Sequence, residues 1–254
     1  MRRGPGTLYR RVQSLRFLVT RDRQAVLDFL RARWPLPVPL AARLGLVARF
    51  LAITNAVRTY HTQAELLTVA SAILARAGRP DLTVVEAGCG KGGSTAKLSL
   101  VVRLAGGHLH VFDSFRGIPP NDEEHVTLWG TRVRFRAGAF RARQRGVERV
   151  LARYGATEVV TLHKGWFEDT LAQFDLPVDV ALLDVDLCSA TRTCLRRLLP
   201  RLRPGGIVFS QDGHLRAIVE LLADPQFWRD EVGIAAPQID GLGCRKLLAI
   251  HACS

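Results

Sequence analysis

Short apolar runs alternating with stretches of helical period constrain this chain most strongly. Residues 82–87, 108–112, 159–162, 178–183 and 207–209 are apolar runs of strand length, and 246–251 adds a last one. Between them, 94–104, 191–202 and 215–223 carry helical spacing. Strands that alternate with helices are buried on both faces and predict an α/β fold with a mostly parallel sheet. Before residue 78 no strand-like run occurs. Residues 8–33 read as an amphipathic helix, with Leu15, Val19, Val26, Leu27 and Leu30 apolar. Pro35, Pro37 and Pro39 stop it, 40–56 resumes helical spacing, and 62–77 forms another helix. Thr62 with Glu65 three residues on makes a capping box at that start. The expected organisation is a helical, basic N-terminal extension over 1–78 and an α/β domain over 79–254.

The formal charge of +13 over 254 residues raises nucleic acid or an anionic membrane as a partner. Its location weakens that reading. Residues 1–60 hold twelve Arg against two acids, and 132–153 hold eight Arg against one Glu. The rest of the chain is therefore net acidic. Only four of the 36 cations are Lys, a bias that a GC-rich genome also produces. The first 21 residues are free of acids, as in an organellar transit peptide, but a basic helix accounts for them more simply. The five cysteines, Cys89, Cys188, Cys194, Cys244 and Cys253, lack metal-site spacing and read as free thiols of a reducing compartment. The longest apolar stretch, 36–57, is broken by Pro37, Pro39, Arg43 and Arg49, so no membrane span is expected. The expected location is cytoplasmic.

The first strand runs into Glu86-Ala87-Gly88-Cys89-Gly90-Lys91-Gly92-Gly93. Glycines at 88, 90 and 92 let the backbone turn tightly against a ligand at the carboxyl end of a strand. A dinucleotide site would use GxGxxG; here the spacing is GxGxG, with an acid two residues earlier. That acid suits a cationic ligand group better than a pyrophosphate. Asp113 closes the second strand, where an acid accepts hydrogen bonds from ribose hydroxyls. Together these features favour S-adenosylmethionine over a generic strand-to-helix turn.

Asp184 and Asp186 end the fourth strand, and Gln211 and Asp212 follow the fifth. If both strand ends adjoin the first, their oxygens meet beside the glycine turn. Carboxylate and amide oxygens are hard ligands suited to Mg²⁺. Such a cation holds a substrate through two adjacent oxygens and lowers the pKa of one. The competing role for Asp184 or Asp186 is to cap the helix that follows. Asp212 can equally be a turn residue. His214 is a general-base candidate or a polar loop residue.

These stretches resemble the S-adenosylmethionine- and Mg²⁺-dependent macrocin O-methyltransferase family. The matching segments are Val85-Glu86-Ala87-Gly88 with Gly92-Gly93-Ser94-Thr95, and Phe112-Asp113-Ser114-Phe115-Arg116-Gly117-Ile118-Pro119. They continue with Gly165-Trp166-Phe167-Glu168-Asp169-Thr170-Leu171, Leu183-Asp184-Val185-Asp186-Leu187, Leu202-Arg203-Pro204-Gly205-Gly206 and the Asp212 turn. The resemblance covers about residues 80–215. It implies a Rossmann-like class I methyltransferase fold, with a mostly parallel seven-stranded sheet and helices on both faces. It implies Glu86, Gly88, Gly90 and Ser94 at the methionine end, Asp113 and Ser114 at the ribose, and Trp166 and Phe167 near the adenine. Asp184, placed directly at a strand end, borders the cofactor and leads the metal set of Asp184, Asp186, Gln211 and Asp212. Asp184, Asp212 and His214 are the expected catalytic groups. The acceptor is expected to be a sugar or natural-product hydroxyl. One departure stands out: the family carries two consecutive acids after the fifth strand, and here the first is Gln211.

Three rival readings differ in kind. An RNA methyltransferase would use the basic segments, but RNA readers add exposed aromatics, and 132–153 offers only Phe135 and Phe140. A nucleotide-sugar glycosyltransferase would use the Asp184-Val185-Asp186 motif but leaves the glycine turn and Asp113 without a task. A non-catalytic protein could contact a membrane surface or a partner through its basic N-terminus. The expected partner is a small-molecule acceptor, anionic if the basic segments cover it, with a homo-oligomer open.

Overall fold

The computed structural model describes residues 16–17 and 20–252. Leu15, Val19 and most of the first half of the expected 8–33 helix lie outside the described residues, as does Cys253. The remaining four cysteines are free thiols. Two compact units emerge, and they do not follow chain order. One joins the chain up to Leu82 with Lys91–His108 and Arg145–Val160; the other joins Thr83–Gly90, Leu109–Gln144 and the chain from Thr161 onward.

The first unit is helical. It contains α1 (Arg23–Arg31), α2 (Leu40–Ala56), α3 (Gln63–Leu74), α4 (Gly93–Ala105) and α5 (Gln144–Tyr154). Helix α1 packs on α3, and α2 and α3 pack on α4. Phe29, Phe50, Ile53, Leu66, Leu67, Ile73 and Leu74 fill the space between them. The capping box at Thr62 forms as expected: its hydroxyl accepts from the Glu65 amide, and the Glu65 carboxylate accepts from the Thr62 amide. The proline strap after α1 is held by Arg43. Its guanidinium donates to the carbonyls of Leu30, Ala32 and Val38 and lies over the Trp34 ring. Part of the N-terminal basic charge is thus structural.

A charged chain end is buried inside this unit. Lys97, on α4, is fully buried and donates to the Thr54 hydroxyl of α2 at 2.7 Å. Thr54 also accepts from the Gln63 side-chain amide, while the Gln63 backbone amide donates to the buried Asp22 carboxylate. Burial lowers the Lys97 pKa to about 7, with Asp22 opposing the shift.

The second unit holds the sheet, in the order β5-β2-β1-β6-β7-β9-β8. Its strands are β1 (Thr83–Ala87), β2 (His108–Asp113), β5 (Val160–Lys164), β6 (Val178–Leu183), β7 (Leu202–Ser210), β8 (Ile239–Asp240) and β9 (Leu248–His251). Strands β1, β6 and β7 run parallel, while β9 is antiparallel to both β7 and β8. Val85, Ala87, Leu183, Val208 and Ile250 meet Leu195, Leu198, Ile218 and Trp228 in one core. The core-side helices are α7 (Cys188–Leu198) and α8 (Arg216–Ala223), with the short α6 (Phe167–Thr170) after β5. Among the described residues no helix is long and apolar enough to cross a membrane.

Three expectations change. The fourth strand, β6, adjoins β1, but the fifth, β7, lies one place further out and pairs with β6 instead. Strand β7 begins at Leu202 and runs through Pro204-Gly205-Gly206, which reads as a break in sequence. The register with β6 shifts there, between Val178 and Val180, and such an irregularity tolerates a proline that cannot donate. Finally, a two-stranded ribbon of β3 (His125–Val126) and β4 (Arg132–Val133) stands apart from the main sheet, and its strands are too short to show a period.

Lys97 generates a stability prediction. Between pH 7 and 10.5 the unfolded chain holds a proton that the folded Lys97 lacks, so stability rises with pH across that window. The slope contributed is at most about 1.4 kcal/mol per pH unit. Lys97→Met removes that slope, leaves Thr54 paired with Gln63, and stabilises the protein most at pH 7 and below. Urea unfolding at several pH values measures both effects.

Candidate active site

The site is built where β1, β6 and β7 end. Gly88 turns the chain after β1 with φ +86°, and an added Cβ would stand 2.1 Å from the Asp184 carbonyl. Only glycine lets the two strand ends approach this closely. The Gly88 amide donates to the Phe112 carbonyl, and the Asp184 amide to that of Ala87. The ends of β2, β1 and β6 are therefore laced together at one edge. Gly90 has open space where its Cβ would project, so the turn presents bare backbone. Glu86 is fully buried at the end of β1. Ser94 is buried on the first turn of α4, in the helical unit.

Asp113 organises the turn. One carboxylate oxygen accepts from the amides of Cys89 and Gly90, at 2.9 and 3.3 Å; the other accepts from Phe115 at 2.7 Å. The Cys89 thiol also lies against this carboxylate, and burial together with Asp113 raises the thiol's pKa. Ser114 is a turn residue whose hydroxyl accepts from Arg116. The Gly165 amide donates to the Asp113 carbonyl, which brings Trp166 and Phe167 to the same edge. Both are half-buried; the Trp166 carbonyl caps α6 by accepting from Thr170, and Phe167 packs on the core.

Asp184, Asp186 and Asp212 come together, each with an oxygen within 4.8 Å of the others. Asp212 is buried and accepts from the amides of Val185 and Asp186 at 3.1 and 3.0 Å. It clamps a turn in which Asp186 adopts φ +62°, unusual for a residue with a side chain. Burial, and then the neighbouring carboxylates, raise the pKa of Asp186 and of Asp212; Lys246 opposes this. Three crowded oxygens favour a hard divalent cation, and the donor set fits Mg²⁺. Gln211 is buried at the adjacent position. His214 is half-buried, and its ring stacks on Trp129.

Neither Asp184 nor Asp186 caps the following helix. That task falls to Glu123, which sequence reasoning missed. Its carboxylate accepts from the Cys188 and Ser189 amides at 2.7 and 3.0 Å and from the Ser189 hydroxyl. Helix α7 starts after Leu187, which offers no side-chain cap. That missing cap is the sequence signal for an acceptor from elsewhere. The buried His125 ring lies 3.4 Å from the Glu123 carboxylate, and burial lowers the His125 pKa against the pull of Glu123.

The fold is shared with solved structures that include two methyltransferases. The chain is similar to the O-methyltransferase NovP, with a TM-score of 0.61 and 21% identity over 76% of this chain and 81% of that one. It is similar to the calicheamicin methyltransferase CalS11, with a TM-score of 0.58 and 16% identity over 100% and 95% of the two chains. The fold is thus the Rossmann-like class I methyltransferase fold, with its seven-stranded sheet. The macrocin-O-methyltransferase (TylF) family matches residues 66–244, and the chain belongs to that family of O-methyltransferases. A curated relative from Streptomyces olivaceus, 8-demethyl-8-(2,3-dimethoxy-alpha-L-rhamnosyl)-tetracenomycin-C 4'-O-methyltransferase, is 33% identical over 168 residues. The chain matches 63% of that relative's length with 63% of its own.

The helix cap is testable without an assay. Glu123→Ala leaves two amide donors at the start of α7 without their charged acceptor and costs about 1–2 kcal/mol. That corresponds to a melting temperature lower by roughly 2–8 °C, while Glu123→Gln keeps part of the loss. Differential scanning calorimetry of the three proteins checks it.

Proposed function

We propose that the protein is an S-adenosylmethionine-dependent O-methyltransferase that methylates a hydroxyl of a natural-product glycoside, with Mg²⁺ at the acid cluster. The observation that carries this reading is the juxtaposition of a bare glycine turn and three converging carboxylates at one sheet edge. Membership of an O-methyltransferase family supports the reaction class. The relative from Streptomyces olivaceus, by its name a rhamnoside 4'-O-methyltransferase, supports a glycoside acceptor.

When bound, the cofactor supplies an electrophilic methyl group, and the cation favours the ionised form of the acceptor hydroxyl. The chain's own residues then have defined tasks. Gly88 and Gly90 let the cofactor lie against backbone, with Glu86 at its methionine end. Asp113 takes a ribose hydroxyl, with Ser114 beside it. Trp166 and Phe167 border the adenine. Asp184, Asp186 and Asp212 would hold the cation, with Gln211 as a neutral oxygen beside them. His214 or Asp186 receives the acceptor proton. Alignment of the acceptor oxygen with the methyl group supplies most of the rate, because the methyl is already activated. Arg132, Arg134, Arg136, Arg141 and Arg143 are exposed and form no ion pair with any described residue, which leaves them available to an anionic acceptor.

The test is transfer of label from methyl-labelled S-adenosylmethionine to 8-demethyl-8-(2,3-dimethoxy-α-L-rhamnosyl)-tetracenomycin C and to a panel of related glycosides. Transfer to at least one glycoside is expected, with EDTA and the Asp184→Asn, Asp212→Asn double variant each lowering it by about 100-fold or more. No transfer to any glycoside, with no retention of cofactor at millimolar concentration, would overturn the reading. EDTA-insensitive transfer would remove the cation and leave the reaction class intact.

A further inference from the structure

Trp129 is the most exposed of the large apolar side chains described, at 69% exposure. It does not sit on a loose loop. It lies in the tight turn between β3 and β4, where the Gly130 amide donates to the Thr127 carbonyl and the Thr131 amide to the Thr127 hydroxyl. Gly130 supplies the left-handed backbone, with φ +86°. The turn is clipped to the site itself: the Leu128 amide donates to the His214 carbonyl at 2.9 Å, and Thr127 bridges to Leu215. The indole stacks on the His214 imidazole, with centroids 6.0 Å apart and planes 18° from parallel. His214 stands two residues beyond Asp212. A rigid aromatic surface is therefore fixed to the loop that carries Asp212, with most of its area in solvent.

A partner that lies on an exposed indole removes apolar area from water and gains free energy by it. A rigid Trp gives large contact area at little entropic cost, which is why such residues anchor recognition. One face of a pyranose is lined with C–H groups while its hydroxyls project around the rim. Laid on the indole, that face is covered and the rim hydroxyls stay free to point towards the acids. We infer that Trp129, backed by His214, is the platform on which the pyranose ring of the acceptor lies, an assignment that rests on the glycoside reading above. It makes Trp129 a specificity-determining residue: it selects ring acceptors with a continuous C–H face and sets which rim hydroxyl reaches the site.

Saturation-transfer difference NMR tests it, using methyl α-L-rhamnopyranoside as probe in the presence of S-adenosylhomocysteine. Wild-type protein is expected to transfer saturation to the ring C–H protons of the probe. Trp129→Ala should lose at least fivefold of that signal, and Trp129→Phe should keep most of it. Transfer to the adenine protons of S-adenosylhomocysteine should be the same in all three proteins, which shows that the variants are folded. On a glycoside acceptor, Trp129→Ala should raise KM about tenfold or more, with the affinity for S-adenosylmethionine unchanged. Wild-type transfer to the rhamnoside in Trp129→Ala would overturn the platform alone. A rhamnoside signal absent from the wild type, with the adenine signal present, would overturn the glycoside reading and the platform with it. If Trp129→Ala turned a dimer into a monomer and left KM unchanged, the indole would be an interface residue, and the platform would again be overturned.

Discussion

Three carboxylates share one corner of this protein, and much of the candidate site depends on how that crowding is tolerated. Oxygens of Asp184, Asp186 and Asp212 lie within 4.8 Å of one another. At an effective dielectric of about 20, each pair of like charges at that spacing repels by roughly 3 kcal/mol. The fold offsets this only in part. Two backbone amides bind Asp212, Lys246 lies near, and burial with mutual repulsion pushes the pKa of Asp186 and Asp212 up. A cation of the kind proposed would relieve that crowding. The close approach of Gly88 to Asp184 ties the corner to the glycine turn, so cation and cofactor would be positioned by one piece of backbone.

The parts legible in the sequence are those where local pattern and function coincide. Apolar runs of strand length exposed the α/β alternation because parallel strands are buried on both faces. The GxGxG turn and Asp113 could be paired because the first two strands of such a sheet end side by side. The Asp113 contacts add something that spacing does not show: the carboxylate shapes the turn through the Cys89 and Gly90 amides. The capping alternative for Asp184 and Asp186 was open in sequence because an acid just before a helix reads the same whether it caps or ligates.

What stayed hidden depends on contacts between distant segments. Glu123 caps α7 from 65 residues away, and nothing local marks it except the missing cap at Leu187. The β3–β4 ribbon has two-residue strands, below the length at which alternation can be recognised, so Trp129 reads in sequence as an ordinary loop aromatic. Charge was partly legible. Its concentration in two segments is plain, but that Arg43 spends its donors on the carbonyls of the proline strap appears only in three dimensions.

Everything proposed for the acid corner turns on whether Asp184, Asp186 and Asp212 hold a divalent cation. The most direct measurement is a Mn²⁺ titration followed by electron paramagnetic resonance, which counts free ion as protein is added. One bound Mn²⁺ per chain is expected, displaced by Mg²⁺, and abolished when Asp184 and Asp212 are both changed to Asn. An unchanged free-ion signal at millimolar Mn²⁺, or equal binding by the double variant, would contradict it.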